Sequence, residues 1–418
     1  MGTQEGEDGY DCIEAVAKMP WCNGNVGMAG NSHLAIAQWF VGQLQPPSLK
    51  AIAPWEGCGD LFREQFGHNG MESFREMYRR SGGVANLYWE DKRSDMSKIN
   101  IPTYITASFS SALHTMGSIR GFFDVNCAQK WIRFSPYQEW HDIWAVPTYT
   151  QELLSFFDRY LKAIDNDWEQ TPAIRMTTLR FGSQDAIVDE PLESFPPPHV
   201  QDRKLFLTPG GRLSSETEGP QPSVVSYNSE DGNSSVNFAY TFDKKTRLCG
   251  IPKAVLYMSC SARDDLDVYV VIRKLDKDGK LMLALNVPWN SIPPNSIEEI
   301  PVDKATDLLL YMGPVGMLRA SHREIDPTRS MHPNYPFHPH AKTDPVPVGQ
   351  VVKLEIGIFA MSVEFEAGES VGLRVSGQTP QIHSFEELKD RLGNHDNKGT
   401  HNIHFGGEYP SYVVLPFA

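Results

Sequence analysis

Ser32 lies in the stretch Asn25-Val26-Gly27-Met28-Ala29-Gly30-Asn31-Ser32-His33-Leu34-Ala35, which reads as an apolar strand, a tight glycine turn, a serine and then a helix. A serine on such a turn has the setting of a nucleophile elbow. The turn lifts the hydroxyl off the sheet, and the following helix aims its first N–H groups at a developing oxyanion. The backbone N–H of His33, directly after the serine, would be one such donor whatever its ring does. The bland alternative is a helix N-cap, a position serine favours for reasons unrelated to catalysis. Serine becomes a nucleophile only with a base in reach, normally an imidazole oriented by a carboxylate. The elements around Ser32 must therefore supply those groups.

The pattern of apolar residues predicts a helix over 11–18, a strand over 26–29, a buried helix over 33–44 and a second strand over 49–54, which is the β-α-β unit of a parallel sheet. Residues 56–80 turn polar, aromatic and helical, with a break at Gly67-His68-Asn69-Gly70, and suit a cap over an active site spanning about 56–100. The core pattern returns with strands over 102–107 and 130–134 and helices over 117–126 and 149–162, the last carrying Leu153, Leu154, Phe157 and Leu161 on one face. Pro196-Pro197-Pro198 marks a boundary. Beyond it come strands over 204–207, 254–260, 267–275, 281–286, 351–358, 370–375 and 411–415, with Lys277-Asp278-Gly279 as a hairpin turn. The expected fold class is α/β plus all-β, with an α/β domain over 1–195 and a β-sandwich or jelly roll over 200–418.

A chain of 418 residues accommodates two or three domains. The net charge of −14 argues against nucleic acid and anionic membranes as partners, because both are polyanions. No apolar stretch approaches the ~20 residues of a membrane span. The acidic start Met1-Gly2-Thr3-Gln4-Glu5-Gly6-Glu7-Asp8 is unlike a signal peptide. Cys12, Cys22, Cys58, Cys127, Cys249 and Cys260 are scattered without metal-type spacing, which predicts free thiols, a cytoplasmic setting, no metal and no cofactor.

Several stretches resemble the cocaine-esterase/X-Pro dipeptidyl-peptidase (CocE/NonD) family of α/β-hydrolases, especially its fungal branch. They are Asp8-Gly9-Tyr10-Asp11, Pro20-Trp21-Cys22-Asn23-Gly24, Val26 to Ser32, Leu49-Lys50-Ala51-Ile52-Ala53-Pro54, Phe156-Phe157-Asp158-Arg159-Tyr160-Leu161-Lys162, Leu318-Arg319-Ala320-Ser321-His322-Arg323 and Gly368 to Val375. The resemblance implies an α/β-hydrolase core with a helical cap, a C-terminal jelly roll, and Ser32 as nucleophile. It also exposes departures. The family's acid follows the next core strand, where this chain has Ala107-Ser108-Phe109-Ser110-Ser111 and no carboxylate. Ser135, in Arg133-Phe134-Ser135-Pro136-Tyr137-Gln138-Glu139-Trp140, stands where the fungal branch has its histidine. Family members also carry on the order of a hundred residues, most of a domain, before the point where this chain begins. A core of about four parallel strands would then have an open edge, which a second copy or another partner would cover.

Two imidazoles are candidates for the base: His141, the nearest to that segment, and His114, after the acid strand. Their alternatives are a loop histidine beside Asp142 and a buried or pocket-lining residue. Glu139 and Asp142 are candidate acids, with salt bridges as the plainer reading. The His33 ring is expected to point into the pocket or to pack where the family has an aromatic. Trp55, Phe62, Phe66 and Phe109 are expected to line an apolar pocket, with core packing as the equal alternative. Asp264, Asp265 and Asp267 read as a strand entry rather than a calcium site, and His332, His338 and His340 as an ordered linker. The first functional expectation is hydrolysis of an ester or amide of a small, largely apolar substrate through Ser32. The second is a scaffold that has lost its triad and binds, cyclises or rearranges a small molecule in a biosynthetic pathway. A third is a non-catalytic subunit.

Overall fold

A computed structural model describes residues 1–66, 82–111, 113–138, 141–142, 145–182, 184–216, 221–288, 291, 299, 310–378 and 397–418. It divides into two compact units. The first comprises Met1–Gln65, Asn86–Thr177 and Ile187–Phe195, and the second Phe66–Ala85, Thr178–Ala186 and Pro196–Ala418.

The first unit is built on a six-stranded sheet whose spatial order follows the chain: β1 (Val26–Asn31), β2 (Leu49–Trp55), β3 (Thr103–Ser108), β4 (Lys130–Ser135), β5 (Ile174–Thr178) and β6 (Ile187–Leu192). Strands β1 to β5 pair in parallel, each with the next. The sheet therefore has two strands more than the four expected, and β1 lies at one edge. Helices α1 (Thr3–Val16), α2 (His33–Gly42), α3 (Thr115–Asp124) and α4 (Pro147–Lys162) complete the unit.

Period-two alternation assigns the faces. Ala51, Ala53 and Trp55 of β2 cluster with Tyr104, Trp131, Phe156 and Trp168, and α4 packs on that cluster through Leu153, Phe157, Tyr160 and Leu161. The other face carries α2 and α3. There Ile52 approaches the backbone of Gly42, and Trp39 meets Gly121 across the two helices. Nearly every side chain of α2 after its first turn is buried, as its apolar circumference predicts.

The second unit is dominated by antiparallel strands. Asp267–Leu275 pairs with both Val315–Arg319 and Ser370–Ser376, and Lys253–Cys260 pairs with Val352–Gly357, Thr400–Phe405 and Tyr412–Phe417. The 277–279 turn closes the hairpin in which Leu275 faces Leu281, with Gly279 at φ 79°. This is the β-sandwich half of an α/β plus all-β chain. Among the described residues, no helix is long and apolar enough to cross a membrane.

Candidate active site at the elbow

Ser32 follows the last residue of β1 and precedes the first of α2 with φ 55° and ψ −119°. That backbone is strained for a residue with a Cβ, whereas an ordinary N-cap lies in the β region. The hydroxyl makes no capping hydrogen bond to the helix. Both facts separate Ser32 from the N-cap reading and match a serine whose side chain is held away from its own helix. The turn is locked from behind. The Ser32 N–H donates to the carbonyls of Glu56 (2.8 Å) and Trp55 (3.3 Å), at the end of β2, and the Ser32 carbonyl accepts from Ala35 and Ile36. Gly30, at φ 150°, allows the close approach, since a Cβ there would sit 2.5 Å from Cβ of Leu34.

The segment after β2 is wedged between helices. A Cβ on Gly57 would lie 2.8 Å from that of Ala35 on α2, and one on Gly117 of α3 would lie 2.5 Å from Cα of Cys58. The Gly57 N–H donates to Ser118 Oγ at 3.4 Å. Further along, Glu64 Oε2 accepts from the N–H groups of Gly59 and Asp60 at 2.9 and 3.0 Å, and its other oxygen pairs with Arg120 of α3. Burial pushes the Asp60 carboxyl upward, but Arg63, 2.7 Å away, outweighs it and holds the group below the usual carboxylate range. At the head of this segment Glu56 is fully buried, with φ 53°. Its Oε2 lies 4.0 Å from Nδ1 of His114, the buried residue that precedes α3. Sequence reasoning missed Glu56, having looked for the acid after β3 and, at Glu139 and Asp142, after β4. The available signal was the parallel order β1–β2, which sets the residue after β2 beside the elbow.

The loop after β4 holds a different arrangement. Asp142 Oδ2 accepts from Ser135 Oγ (2.5 Å) and from an Arg133 terminal nitrogen (3.1 Å). The Nε of Arg133 donates to Asp189 at 2.8 Å, and its guanidinium lies 3.4 Å from the Tyr149 ring centroid. The Nδ1 of His141 lies 4.0 Å from the other oxygen of Asp142, and its ring stands edge-on to Tyr137. Asp142 is thus committed to the sheet's buried guanidinium. Glu139 lies outside the described residues.

Of the aromatics expected to line a pocket or to pack in the core, the structure places Trp55, Phe62 and Phe109 in core packing. Trp55 faces α4 within the core because it shares the parity of Ala51 and Ala53 along β2. Phe62 is fully buried, with its ring 5.2 Å from that of Trp89. Phe109 stacks on Phe134 at 4.8 Å. Phe66 ends a helical turn, and its side chain lies outside the described residues. The ring of His33 is turned toward α1. It is half exposed and its Nε2 lies 3.0 Å from Glu5 on α1, so its backbone N–H is what it offers the site.

In the second unit Asp267 forms a two-pronged pair with Arg319, and Asp265 accepts from the N–H groups of Leu266 and Ser321. In the segment read as an ordered linker, His338 and His340 are buried together with His322. Among the described residues, no group of three or more His, Cys, Asp or Glu side chains is placed to hold a metal ion.

Residues 166–414 match the family model of the X-Pro dipeptidyl-peptidase C-terminal non-catalytic domain, and residues 1–99 that of the X-Pro dipeptidyl-peptidase S15 family. Cocaine esterase from Rhodococcus sp. is 41% identical over 56 residues, which is 13% of this chain and 10% of that protein. A solved CocE/NonD family hydrolase from Staphylococcus aureus superposes with a TM-score of 0.87 at 30% identity, covering 100% of this chain and 76% of that one. An α-amino acid ester hydrolase shares the fold at a TM-score of 0.70 and 14% identity, over 99% of this chain and 80% of that one. With one family model spanning more than half of its residues and a 30% identical relative matching its full length, the chain belongs to the CocE/NonD family of α/β-hydrolases.

Proposed function

We propose that the chain is a serine hydrolase of the esterase or peptidase type, with Ser32 as nucleophile. The observation that carries this reading is the elbow itself: a serine at φ 55°, ψ −119°, free of capping duty and pinned to the end of β2. The names of its relatives, a cocaine esterase and X-Pro dipeptidyl-peptidases, point to the same chemistry on esters and amides. Ser32 Oγ attacks the substrate carbonyl while an imidazole takes its proton, and the N–H of His33 donates to the oxyanion. Of the two candidate imidazoles His114 is the better supported, because it faces the residue whose carbonyl holds the elbow. The substrate class that this reading implies is an ester or amide.

Fluorophosphonate labelling followed by peptide mass analysis tests the reading. Wild type should carry the label on Ser32, and Ser32→Ala should lose it. A wild-type protein that stays unlabelled over pH 6–9 would remove Ser32 as a working nucleophile.

A further inference from the structure

We infer that Glu56 is the positioning carboxylate of this site, replacing the acid missing after β3, so that Ser32, His114 and Glu56 act as a triad. The inference rests on the serine-hydrolase reading and deepens it. Glu56 is joined to the elbow on one side and to the imidazole on the other. Its carbonyl accepts the Ser32 N–H at 2.8 Å, and its Oε2 stands 4.0 Å from His114 Nδ1. Catalytic hydrogen bonds in a structure without substrate are often long and tighten in the complex. The pair is buried, with Glu56 at 0% and His114 at 6% exposure, so solvent screens it little.

The reach is adequate. Neighbouring strands are about 4.8 Å apart, so the end of β3 lies roughly 10 Å from that of β1. The six residues from Phe109 to His114 can span about 20 Å when extended, enough to return across β2. Helix α3 fixes the end of that loop, since the Ser118 N–H donates to the His114 carbonyl at 2.9 Å. The other carboxylate considered, Asp142, is already bonded to Ser135 and Arg133.

The chemistry follows from the tautomer. A carboxylate facing Nδ1 keeps the ring proton there and leaves the lone pair on Nε2. As the bond from Ser32 Oγ to the carbonyl carbon forms, the hydroxyl proton passes to Nε2, and Glu56 stabilises the resulting imidazolium without taking its proton. The bond to the leaving alkoxide or amine breaks as Nε2 returns that proton to it. Water then repeats both steps on the acyl-enzyme, releasing the acid and restoring Ser32.

The test compares wild type, Glu56→Gln, Glu56→Asp, His114→Gln and the double variant Glu56→Gln/His114→Gln. Fluorophosphonate labelling rates at Ser32 are measured from pH 6 to 9, beside thermal melting as a check of folding. Glu56→Gln should slow labelling about 100-fold or more at neutral pH, with a changed pH profile. Glu56→Asp should recover part of the rate, and the double variant should be no slower than His114→Gln alone. A folded Glu56→Gln protein that labels within threefold of wild type overturns the inference, as does a double variant whose losses multiply. A purely structural role would lower the rate equally at every pH. Proton NMR reads the pair without reference to catalysis: a downfield Nδ1–H resonance should be present in wild type and absent from Glu56→Gln and from His114→Gln. If Ser32 fails to label while that resonance is present, the hydrolase reading fails and the pair stands. If wild type lacks the resonance, the pairing fails.

Discussion

Replacing Ser32 by glycine should make the α/β unit more stable while abolishing its chemistry. The φ 55°, ψ −119° backbone at Ser32 lies outside the regions open to L-residues, and such positions cost about 1–3 kcal/mol. Glycine removes that cost and adds about 0.5–1 kcal/mol of unfolded-chain entropy, so the net gain is about 1 kcal/mol. Ser32→Ala is the control. It keeps the Cβ and the strain but loses the hydroxyl, and because that hydroxyl does not cap α2, its removal should change stability by about 0.5 kcal/mol or less. Denaturant titration followed by tryptophan fluorescence suits the comparison, since Trp39, Trp55, Trp131 and Trp168 are buried in the same unit as Ser32. Ser32→Gly should exceed Ser32→Ala by about 1 kcal/mol, or roughly 2–4 °C in the unit's melting temperature. A glycine variant no more stable than the alanine variant would refute the claim that the elbow stores strain to expose its hydroxyl.

Three further outcomes follow from Ser32, from the second unit and from the loop after β4. Ser32→Ala should lose fluorophosphonate labelling entirely while remaining folded. Burial holds His322, His338 and His401 near pKa values of about 4, below the ordinary 6.5, so the fold keeps them neutral while the unfolded chain takes up protons. Their contribution is complete above about pH 6.5 and is lost as pH falls toward 4, by up to about 3 kcal/mol each; calorimetry of the second unit at pH 7, 5.5 and 4.5 should show that decline, and a flat profile would contradict it. Asp142→Asn leaves Arg133 buried with Asp189 as its remaining carboxylate, and should cost about 3 kcal/mol in urea titration while Ser32 in the folded protein labels at the wild-type rate. A labelling loss like that of His114→Gln would instead move the catalytic pair to His141 and Asp142.

The strands were legible where apolar runs met turn residues, and the elbow was legible because Gly30 and Ala35 leave room for a strand and a helix to meet closely. Less visible was the face each strand residue takes. The sequence leaves Trp55 between pocket lining and core packing; it alternates in step with Ala51 and Ala53 and so belongs to the α4 face. Strands β5 and β6 were missed because Ile174-Arg175-Met176-Thr177-Thr178 and Ile187-Val188-Asp189-Glu190-Pro191-Leu192 carry charges within short segments. Arg175 is nonetheless buried against Glu152 and Tyr104, a pairing set by tertiary structure. Helix α1 begins earlier than its stripe suggests because Gly6 and Gly9 weaken the helical pattern. They are needed for packing: a Cβ on Gly6 would lie 2.8 Å from the Phe40 carbonyl oxygen, and one on Gly9 would lie 2.4 Å from Val41.

Two adjoining strand ends at the site carry the same kind of cost. Ser32 directly follows β1 at φ 55° and Glu56 directly follows β2 at φ 53°, and a hydrogen bond joins them. Glycine would adopt either backbone without strain. At Ser32 the side chain retained is a hydroxyl that does no capping. At Glu56 it is a carboxylate held entirely out of water, where burial adds a desolvation cost to the backbone cost. Strain, burial and an imidazole across from the carboxylate coincide at one position beside the elbow, whereas the Ser135 hydroxyl donates to Asp142. On the proposed assignment the acid sits one strand nearer the nucleophile than the family's usual place, and the triad is defined by what the three groups face rather than by where they fall in the chain.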